Sequence, residues 1–350
     1  MRKILLTISL LLLPVIAHSA VEISDVYELQ DMMLDRTADY VLINDIDAST
    51  TTTWNYNAER DVYEGFDPIG DASTRFTGTF DGQGFVISDL YINREIIHVS
   101  LFGFLGDSGN SATVENFGLK DVYVKGSGSV GSVGSSYYNS VIKDVWATGE
   151  VVGGDFNTGG ISGLTNHGGK IYTSYFSGSV TGVNRVGGIV GMNYGEGGHV
   201  VVEDCYAFGT VEGEESVGGV VGWNYDRWSR SYVTRSFSAA SVTGTTNVGG
   251  LIGRIDKSGS VTDSFWNTET SNQASSADGT GKTTSQMTDH ENSYPDSYTN
   301  FDFTDIWQVT SWNTDQEDNA GYPALAWQTD PTPTPTPVIE KWIPYIIRYD

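Results

Sequence analysis

A glycine-rich motif of six residues occurs three times in the middle of the chain: Val186-Gly187-Gly188-Ile189-Val190-Gly191, Val217-Gly218-Gly219-Val220-Val221-Gly222 and Val248-Gly249-Gly250-Leu251-Ile252-Gly253. The copies begin at positions 186, 217 and 248, so the spacing between them is constant. A fixed period of roughly 20–50 residues is typical of proteins that stack one structural unit many times. The motif therefore predicts a repeat architecture, in which its glycines and aliphatic residues are structural positions.

Weaker copies extend the repeat toward the N terminus. The central aliphatic residues form one column: Leu101, Val133, Ile161, Ile189, Val220, Leu251. A second aliphatic column follows: Val114, Ile142, Ile171, Val202, Val233, Val261. A third column is aromatic except at its first place: Gly118, Trp146, Tyr175, Tyr206, Phe237, Phe265. We expect an array between Tyr40 and Asn267 that contains these six copies and, before them, a half coil over residues 77–90 that places Ile87 next to Val114.

The repeat unit has the pattern of short strands and lacks the 3.6-residue apolar stripe of a helix. Strands of four to six residues between glycine and asparagine corners predict a coiled parallel sheet, with like residues stacked about 4.8 Å apart. The fold is therefore expected to be all-β, with an aliphatic core and an aromatic stack that lies inside or on one outer face. We attribute the 42 glycines to corners that need a positive φ. Cys205 shares a column with Ser174, Ser236 and Ser264, which predicts a packed, inert thiol.

Both ends of such an array need covering, because open parallel strands invite edge pairing. At the front, residues 21–39 contain an apolar pattern over Val26–Leu34 with Ser24 or Asp25 as its cap, which predicts a short capping helix. At the back, residues 268–328 leave the repeat. We expect them to form an irregular C-terminal cap.

The N-terminal segment, positions 1–20, resembles a secretory signal peptide. A basic start at Arg2 and Lys3 precedes a short apolar run and small residues at positions 17–20. The run is too short to span a membrane, and no other segment qualifies. We expect export, with an extracellular, cell-surface or periplasmic location. Without Arg2 and Lys3 the formal charge of −25 becomes −27, and this acidity argues against nucleic acid as a partner.

The C terminus combines a spacer with an apolar end. Residues 329–337 hold three Thr-Pro repeats after Asp330-Pro331, which favour an extended linker. Residues 338–350 are rich in aromatic and aliphatic side chains but cannot span a bilayer as a helix. Three interpretations stay open: a tail that docks to an envelope or secretion partner, a disordered remnant, or a strand that packs back on the coil.

The repeat resembles that of bacterial secreted and surface proteins with the GLUG motif, whose glycine–leucine–any–glycine core appears as Gly188-Ile189-Val190-Gly191 and its copies. The likeness extends to Tyr40–Asp47, Phe66–Gly70, Phe80–Gly84 and the stretch from Lys282 to Pro323. It implies a right-handed parallel β-helix of the kind found in adhesins, haemagglutinin-like proteins and some secreted proteases. The family brings a scaffold without defined catalytic residues.

The candidate chemistry is sparse, so we expect a non-catalytic binding protein with no catalytic residue, no cofactor and no metal site. Asn44-Asp45-Ile46-Asp47 contains oxygen ligands for calcium but lacks the repeat of calcium-binding rolls. Trp223, Tyr225 and Trp228 crowd a corner after Gly222, where they either bind a glycan or surface protein or simply cover the coil. Two alternatives remain: a polysaccharide lyase or hydrolase, indicated by a groove with several carboxylates and a basic group, and an envelope component attached through 338–350.

Overall fold

The computed structural model describes residues 19–288, 297–308 and 321–329. The predicted linker and tail beyond residue 329 and nearly all of the predicted signal peptide lie outside these residues. Strand makes up 50% of the structure and helix 8%, so the protein is all-β. The strands form a parallel solenoid of about six turns, as predicted. The handedness of the coil stays a prediction.

The strands up to the third complete coil are β1 Val21–Ile23, β2 Tyr40–Leu42, β3 Ile46–Asp47, β4 Tyr56–Asn57, β5 Val62–Tyr63, β6 Thr79–Asp81, β7 Val86–Ser88, β8 Tyr91–Asn93, β9 Phe102–Leu105, β10 Thr113–Val130, β11 Gly134–Ser136, β12 Val141–Gly159, β13 Ser162–Asn166, β14 Lys170–Tyr172, β15 Tyr175–Thr181 and β16 Asn184–Gly187. The remaining strands are β17 Val190–Gly195, β18 Val200–Glu203, β19 Tyr206–Glu212, β20 Glu215–Gly218, β21 Val221–Asp226, β22 Ser231–Thr234, β23 Phe237–Ser238, β24 Ser241–Thr243, β25 Thr246–Gly249, β26 Ile252–Asp256, β27 Ser260–Thr262, β28 Phe265–Asn267, β29 Thr280–Lys282, β30 Trp307–Gln308 and β31 Ala324–Leu325.

Two parallel sheets carry the coil. A 21-stranded sheet wraps around most of it, and a six-stranded sheet consists of β9, β11, β13, β17, β21 and β26. Helical segments among the described residues include α1 Val26–Asp31, α2 Thr284–Thr288 and three 3-10 turns at Met32–Leu34, Ser49–Thr53 and Ala326–Thr329. The antiparallel pairs β4–β5 and β30–β31 stand apart from the ladder.

The predicted columns are confirmed by the register of the strands. In the second aliphatic column Val114 pairs with Ile142, then Ile171, Val202, Val233 and Val261. The aromatic column pairs in the predicted order from Gly118 to Phe265. All six residues of the first column, Leu101 to Leu251, are fully buried. Repetition in the sequence therefore maps directly onto stacking in the fold.

The predicted register of the half coil is wrong. Ile87 pairs with Leu119, and Phe80 takes the place next to Val114. The reason is the length of this coil, which exceeds that of the later coils. The spacing from Ile87 to Val114 is therefore too short to correspond to one turn. The ladder also extends beyond both expected limits, since β1 pairs with β2 and β29 pairs with β28.

Most glycines are needed because neighbouring coils approach them closely, and fewer because the backbone has a positive φ. Of the described residues with positive φ, 23 are not glycine and 10 are. A Cβ on Gly188 would lie 2.2 Å from the carbonyl oxygen of Gly219, and one on Gly219 would lie 2.3 Å from that of Gly250. Gly118 leaves the first aromatic place empty because a Cβ there would lie 2.3 Å from the ring of Trp146. Our attribution of the glycines to corners is therefore largely wrong.

The N-terminal helix α1 covers the first coil. The Asp25 carboxylate accepts hydrogen bonds from the backbone N–H groups of Tyr27 and Glu28, at 2.8 and 2.9 Å, as expected for an N-cap. Val26, Leu29 and Met32 are buried against the end of the core. The predicted capping role of this segment agrees with that packing.

The C-terminal segment is irregular and lies along the side of the coil. It packs on the aromatic column, which faces outward, in a separate apolar cluster that includes Tyr206, Phe237, Tyr298, Trp307 and Tyr322. The ring of Tyr206 lies parallel to those of Tyr175 and Phe237, at 4.7 and 5.1 Å. The segment thus covers a face that stacking alone leaves open to water.

Candidate functional site

The three aromatic residues proposed for binding lie on the six-stranded sheet and the turn after it. Trp223 and Tyr225 belong to β21 rather than to a corner loop, and both are half-exposed. Only Trp228 lies in the turn, where 72% of its surface is exposed. Alternate residues of a strand face the same side, so Trp223 and Tyr225 share the outer face, with ring centroids 5.0 Å apart.

Arginine side chains lie on both neighbouring coils of Trp223. The guanidinium of Arg185, one coil earlier, lies 4.8 Å from the indole, and that of Arg254, one coil later, lies 4.6 Å away. The register pairs Trp223 with Arg254 directly. The indole N–H donates to the Asp256 carboxylate at 2.9 Å, and Asp256 also binds Arg254 at 2.9 Å. Face-on stacking of a sugar on Trp223 is therefore blocked by its own neighbours.

Tyr225 and Trp228 are connected through a second set of contacts. Tyr225 stacks on Tyr194 at 5.4 Å, and Lys257 lies 5.2 Å from its ring. Arg227 donates to the Tyr194 hydroxyl at 2.6 Å and lies 4.4 Å from the ring of Trp228. The structure thus links the three predicted residues through Arg227 and Tyr194, which the sequence analysis had not singled out.

A cleft of about 690 Å³ opens beside Trp223, which we call the Trp223 cleft. Its walls include Asp155, Phe156, Arg185, Glu215, Trp223 and Arg254. This volume lies within the range of about 300–1,000 Å³ that is usual for small-molecule sites. Two guanidinium groups and two carboxylates line it, with Asp256 at its edge.

Arg185 departs from the repeat at a corner of the coil. The residues stacked in its column are Ser129, Asn157, Arg185, Ser216 and Asn247, and all have positive φ values between 51° and 60°. Asparagine and small polar residues suit this conformation, whereas arginine gains nothing there from the backbone. The reason for an arginine at this corner therefore lies in its side chain.

The Arg185 guanidinium is held without a carboxylate partner among the described residues. It donates to the Asn157 side-chain oxygen at 3.2 Å, and no acid of the described chain lies within 4.0 Å of it. Burial lowers the pKa of Arg185, and Arg254 lowers it further while Glu215 opposes the shift. The group still carries its charge at neutral pH, and Glu215 acts on it from beyond ion-pair distance.

Other groups considered from the sequence are either buried or hydrogen-bonded within the chain. Cys205 is fully buried, and burial raises the pKa of its thiol. In the candidate calcium stretch, Asp45 accepts the N–H of Val86 at 2.9 Å and Asp47 accepts that of Ser49 at 2.9 Å. The described residues contain no group of three His, Cys, Asp or Glu side chains placed to hold a metal ion.

One serine–histidine contact occurs near the N-terminal coils. The Nδ1 atom of His98 and the hydroxyl of Ser135 are 3.1 Å apart, but Ser135 is fully buried and His98 packs on Phe104. Burial, with a smaller effect of Arg75, lowers the pKa of His98 to about 4. The hydroxyl is closed to substrates in this conformation.

Comparison with known proteins gives relatives of the sequence and of the fold. No family model matches the chain. It is 33% identical to halomucin of Haloquadratum walsbyi over 134 residues, which is 37% of this chain and 1% of that protein. It is 36% identical to a "putative Gly-rich membrane protein" of Evansella cellulosilytica over 72 residues, which is 20% of this chain and 8% of that protein. The chain thus spans a small part of both relatives.

A solved structure shares the fold. The crystal structure of a "putative immunoglobulin A1 protease" from Bacteroides ovatus superposes with a TM-score of 0.66 and 20% identity, covering 88% of this chain and 92% of that one. The prediction that this protein is not an enzyme is therefore wrong as it stood. It rested on finding no catalytic set in the sequence, whereas the same fold occurs in a protein described as a protease.

In the residues that the structure describes, no helix is long and apolar enough to cross a membrane. The β-solenoid and the two sequence relatives fit a surface or secreted protein.

Proposed function

We propose that this protein binds an acidic sugar at the Trp223 cleft and acts in adhesion as a surface or secreted solenoid. The observation that carries the proposal is the Arg185 guanidinium, which lies at the wall of an open cleft and forms no ion pair within 4.0 Å among the described residues. A ligand carboxylate would supply such a partner through a charge-assisted hydrogen bond. The likeness to GLUG-motif proteins, which rests on the glycine motif, is consistent with this role and stays a prediction.

The negative charge of the whole protein favours a ligand with few acidic groups. With a formal charge of −25, the protein repels a long polyanion, and this repulsion acts beyond the cleft at low salt. A single carboxylated residue seated beside Arg185 can pair directly with that guanidinium, at a distance where Coulomb attraction is strongest. We therefore expect the site to take a terminal or isolated uronic or sialic acid within a mostly neutral glycan.

The decisive variant is Arg185→Asn, since asparagine already occurs at the corresponding corners 157 and 247. Losing a charge-assisted hydrogen bond is expected to weaken binding of a glucuronate-containing oligosaccharide by about 10- to 100-fold. Isothermal titration calorimetry measures this change, and circular dichroism checks that the fold persists. Lys120→Asn is the control, because Lys120 is exposed, does not line the cleft, and its removal changes the total charge equally.

Two results would contradict the proposal. One is an Arg185→Asn protein that binds as tightly as the wild type. The other is an equal loss in Lys120→Asn, which would assign the effect to total charge rather than to the cleft.

A second candidate is a degradative enzyme, favoured by the Bacteroides ovatus neighbour and by the carboxylates in the Trp223 cleft. Asp155 and Glu215 face the same cleft as Arg185 and Arg254, which is a composition suited to acid–base chemistry. Immunoglobulin A1 and acidic oligosaccharides are the substrates to test. Product formation that disappears in Asp155→Asn or Glu215→Gln would establish this function, and product formation that persists in both would place the chemistry elsewhere.

The predicted envelope attachment through residues 338–350 lies outside the described residues and stays a separate prediction. Deleting that tail is expected to release the protein from the cell fraction. Unchanged retention would exclude attachment through it.

A further inference from the structure

The repeat is broken most strongly near the N terminus, between β3 and β6. There the chain leaves the ladder and forms the 3-10 turn Ser49–Thr53 and the hairpin β4–β5 before it rejoins the coil. A cleft of about 450 Å³ lies between this excursion and helix α1. We call it the Tyr27 cleft, and its walls include Tyr27, Gln30, Asp31, Trp54, Asn55 and Asp67.

The cleft contains an aromatic platform with one open ring face. Tyr27 lies against Trp54, with ring centroids 5.2 Å apart and planes 31° apart, and Trp54 in turn stacks on the buried Phe66 at 6.4 Å. Tyr27 is the outermost ring of the three, and 60% of its surface is exposed. The two inner rings fix its position, so an aromatic surface is presented to solvent in a defined orientation.

The two walls of the cleft are tied together by hydrogen bonds. The Gln30 side chain donates to the backbone carbonyl of Asp67 and accepts from its N–H, each at 2.9 Å. Arg94 donates to the carbonyl of Phe66 at 3.0 Å and pairs with the Asp67 carboxylate at 3.1 Å. A ligand therefore meets walls that are already in place, which lowers the entropy cost of binding.

Acceptor groups surround the platform. The Asp31 carboxylate is exposed, the Asp67 carboxylate is half-exposed, and Asn55 adds a side-chain amide. Arg94 is engaged by Asp67 and Glu64 and does not line the cleft. The charge around the platform is thus negative, which disfavours carboxylated ligands and favours hydroxyl donors.

We propose that the Tyr27 cleft is a second carbohydrate-binding site, specific for a neutral pyranose. The C–H face of the sugar ring packs on the exposed face of Tyr27, and its hydroxyls donate to Asp31, Asp67 and Asn55. The site is independent of the Trp223 cleft in position and in charge. A glycan with neutral residues and one acidic residue would present groups that suit both sites.

The test uses the whole mature chain and a panel of neutral disaccharides built from glucose, galactose, mannose and N-acetylglucosamine. Binding is followed by saturation-transfer NMR and by Trp54-dependent fluorescence. We expect Tyr27→Ala to weaken binding by at least about tenfold and Tyr27→Phe to retain it, because the platform survives without the hydroxyl. Tyr56→Ala is the matched control, since Tyr56 is 55% exposed on the neighbouring hairpin and does not line the cleft.

Each outcome decides the proposal. Loss in Tyr27→Ala together with retention in Tyr27→Phe and Tyr56→Ala supports it. Failure of every neutral disaccharide to bind the wild type at millimolar concentration overturns it, as does equal binding by Tyr27→Ala. Arg185→Asn is expected to leave this binding unchanged, so failure of the Trp223 proposal and failure of this one are distinguishable.

Discussion

A buried ladder of polar side chains gives the sharpest test of how the coils are held together. Thr165, Asn193 and Asn224 are stacked on β13, β17 and β21 and are fully buried. The Thr165 hydroxyl donates to the Asn193 side-chain oxygen at 2.5 Å, and the Asn193 amide donates to the Asn224 side-chain oxygen at 2.9 Å. The same amide also donates to the carbonyl of Tyr232 at 3.1 Å. Asn193 therefore satisfies groups on both neighbouring coils.

Replacing Asn193 with alanine leaves the Thr165 donor and the Asn224 acceptor buried without a partner. Each unsatisfied group costs about 1–3 kcal/mol, so the free energy of unfolding is expected to fall by roughly 2–6 kcal/mol. Thr165→Val removes one donor at nearly constant shape and leaves only the Asn193 oxygen without a partner. The free energy of unfolding is then expected to fall by about 1–3 kcal/mol. The wild type is then the most stable of the three proteins, Thr165→Val is intermediate, and Asn193→Ala is the least stable.

Urea unfolding followed by far-UV circular dichroism measures these differences, with the m-value checked for constancy. Asn184→Ala is the control, because Asn184 is half-exposed and makes one side-chain hydrogen bond of 3.4 Å to the carbonyl of Asp155. Its change is expected to stay within about 0.5 kcal/mol. An Asn193→Ala protein that is as stable as Asn184→Ala would refute the idea that the ladder holds the coils together.

Three further predictions concern buried groups. Because the pKa of His98 is lowered from 6.5 to about 4, the unfolded state binds the proton first as the pH falls. Between pH 6.5 and 4, the free energy of unfolding of the wild type should therefore fall by roughly 3 kcal/mol more than that of His98→Asn. The same pH dependence in both proteins would contradict this assignment. Trp307, which donates to Asp204 at 2.9 Å, covers the aromatic column. Trp307→Ala should raise the fluorescence of a dye that binds apolar surface while the strand signal in circular dichroism persists, and an unchanged dye signal would speak against that cover. Cys205 should react with a thiol reagent only after unfolding, so modification of the folded protein would disprove its burial.

The repeat columns could be predicted from the sequence because register in a parallel solenoid follows from spacing alone. Residues one period apart stack, so Val202 and Val233 needed no further information to be paired. The same rule failed for Ile87, since the coil there is longer than those used to define the period. Spacing fixes stacking only where the period is constant.

The candidate site was only partly accessible from the sequence. Trp223 and Tyr225 stood out as aromatic residues, but Arg185 lies far from Trp223 along the chain and in a different column. Only the three-dimensional register brings its guanidinium to the indole. A signal was nevertheless present, because Arg185 interrupts a column of serine and asparagine residues. An arginine in a column where stacking requires only small polar residues could have indicated the site.

The C-terminal segment covers the aromatic column of the larger sheet and leaves the Trp223 face of the six-stranded sheet uncovered. Stacking produces outer columns on every side of a solenoid, and any of them is a potential binding surface. Residues 297–308 and 321–329 bury the aromatic column of the larger sheet, where Tyr206 and Phe237 are fully enclosed. Trp223 and Tyr225 stay half-exposed on the other sheet, close to Arg185 and Lys257. A ligand can therefore reach unlike side chains brought together by the register there, while the most regular aromatic column serves to anchor the chain's own C-terminal segment.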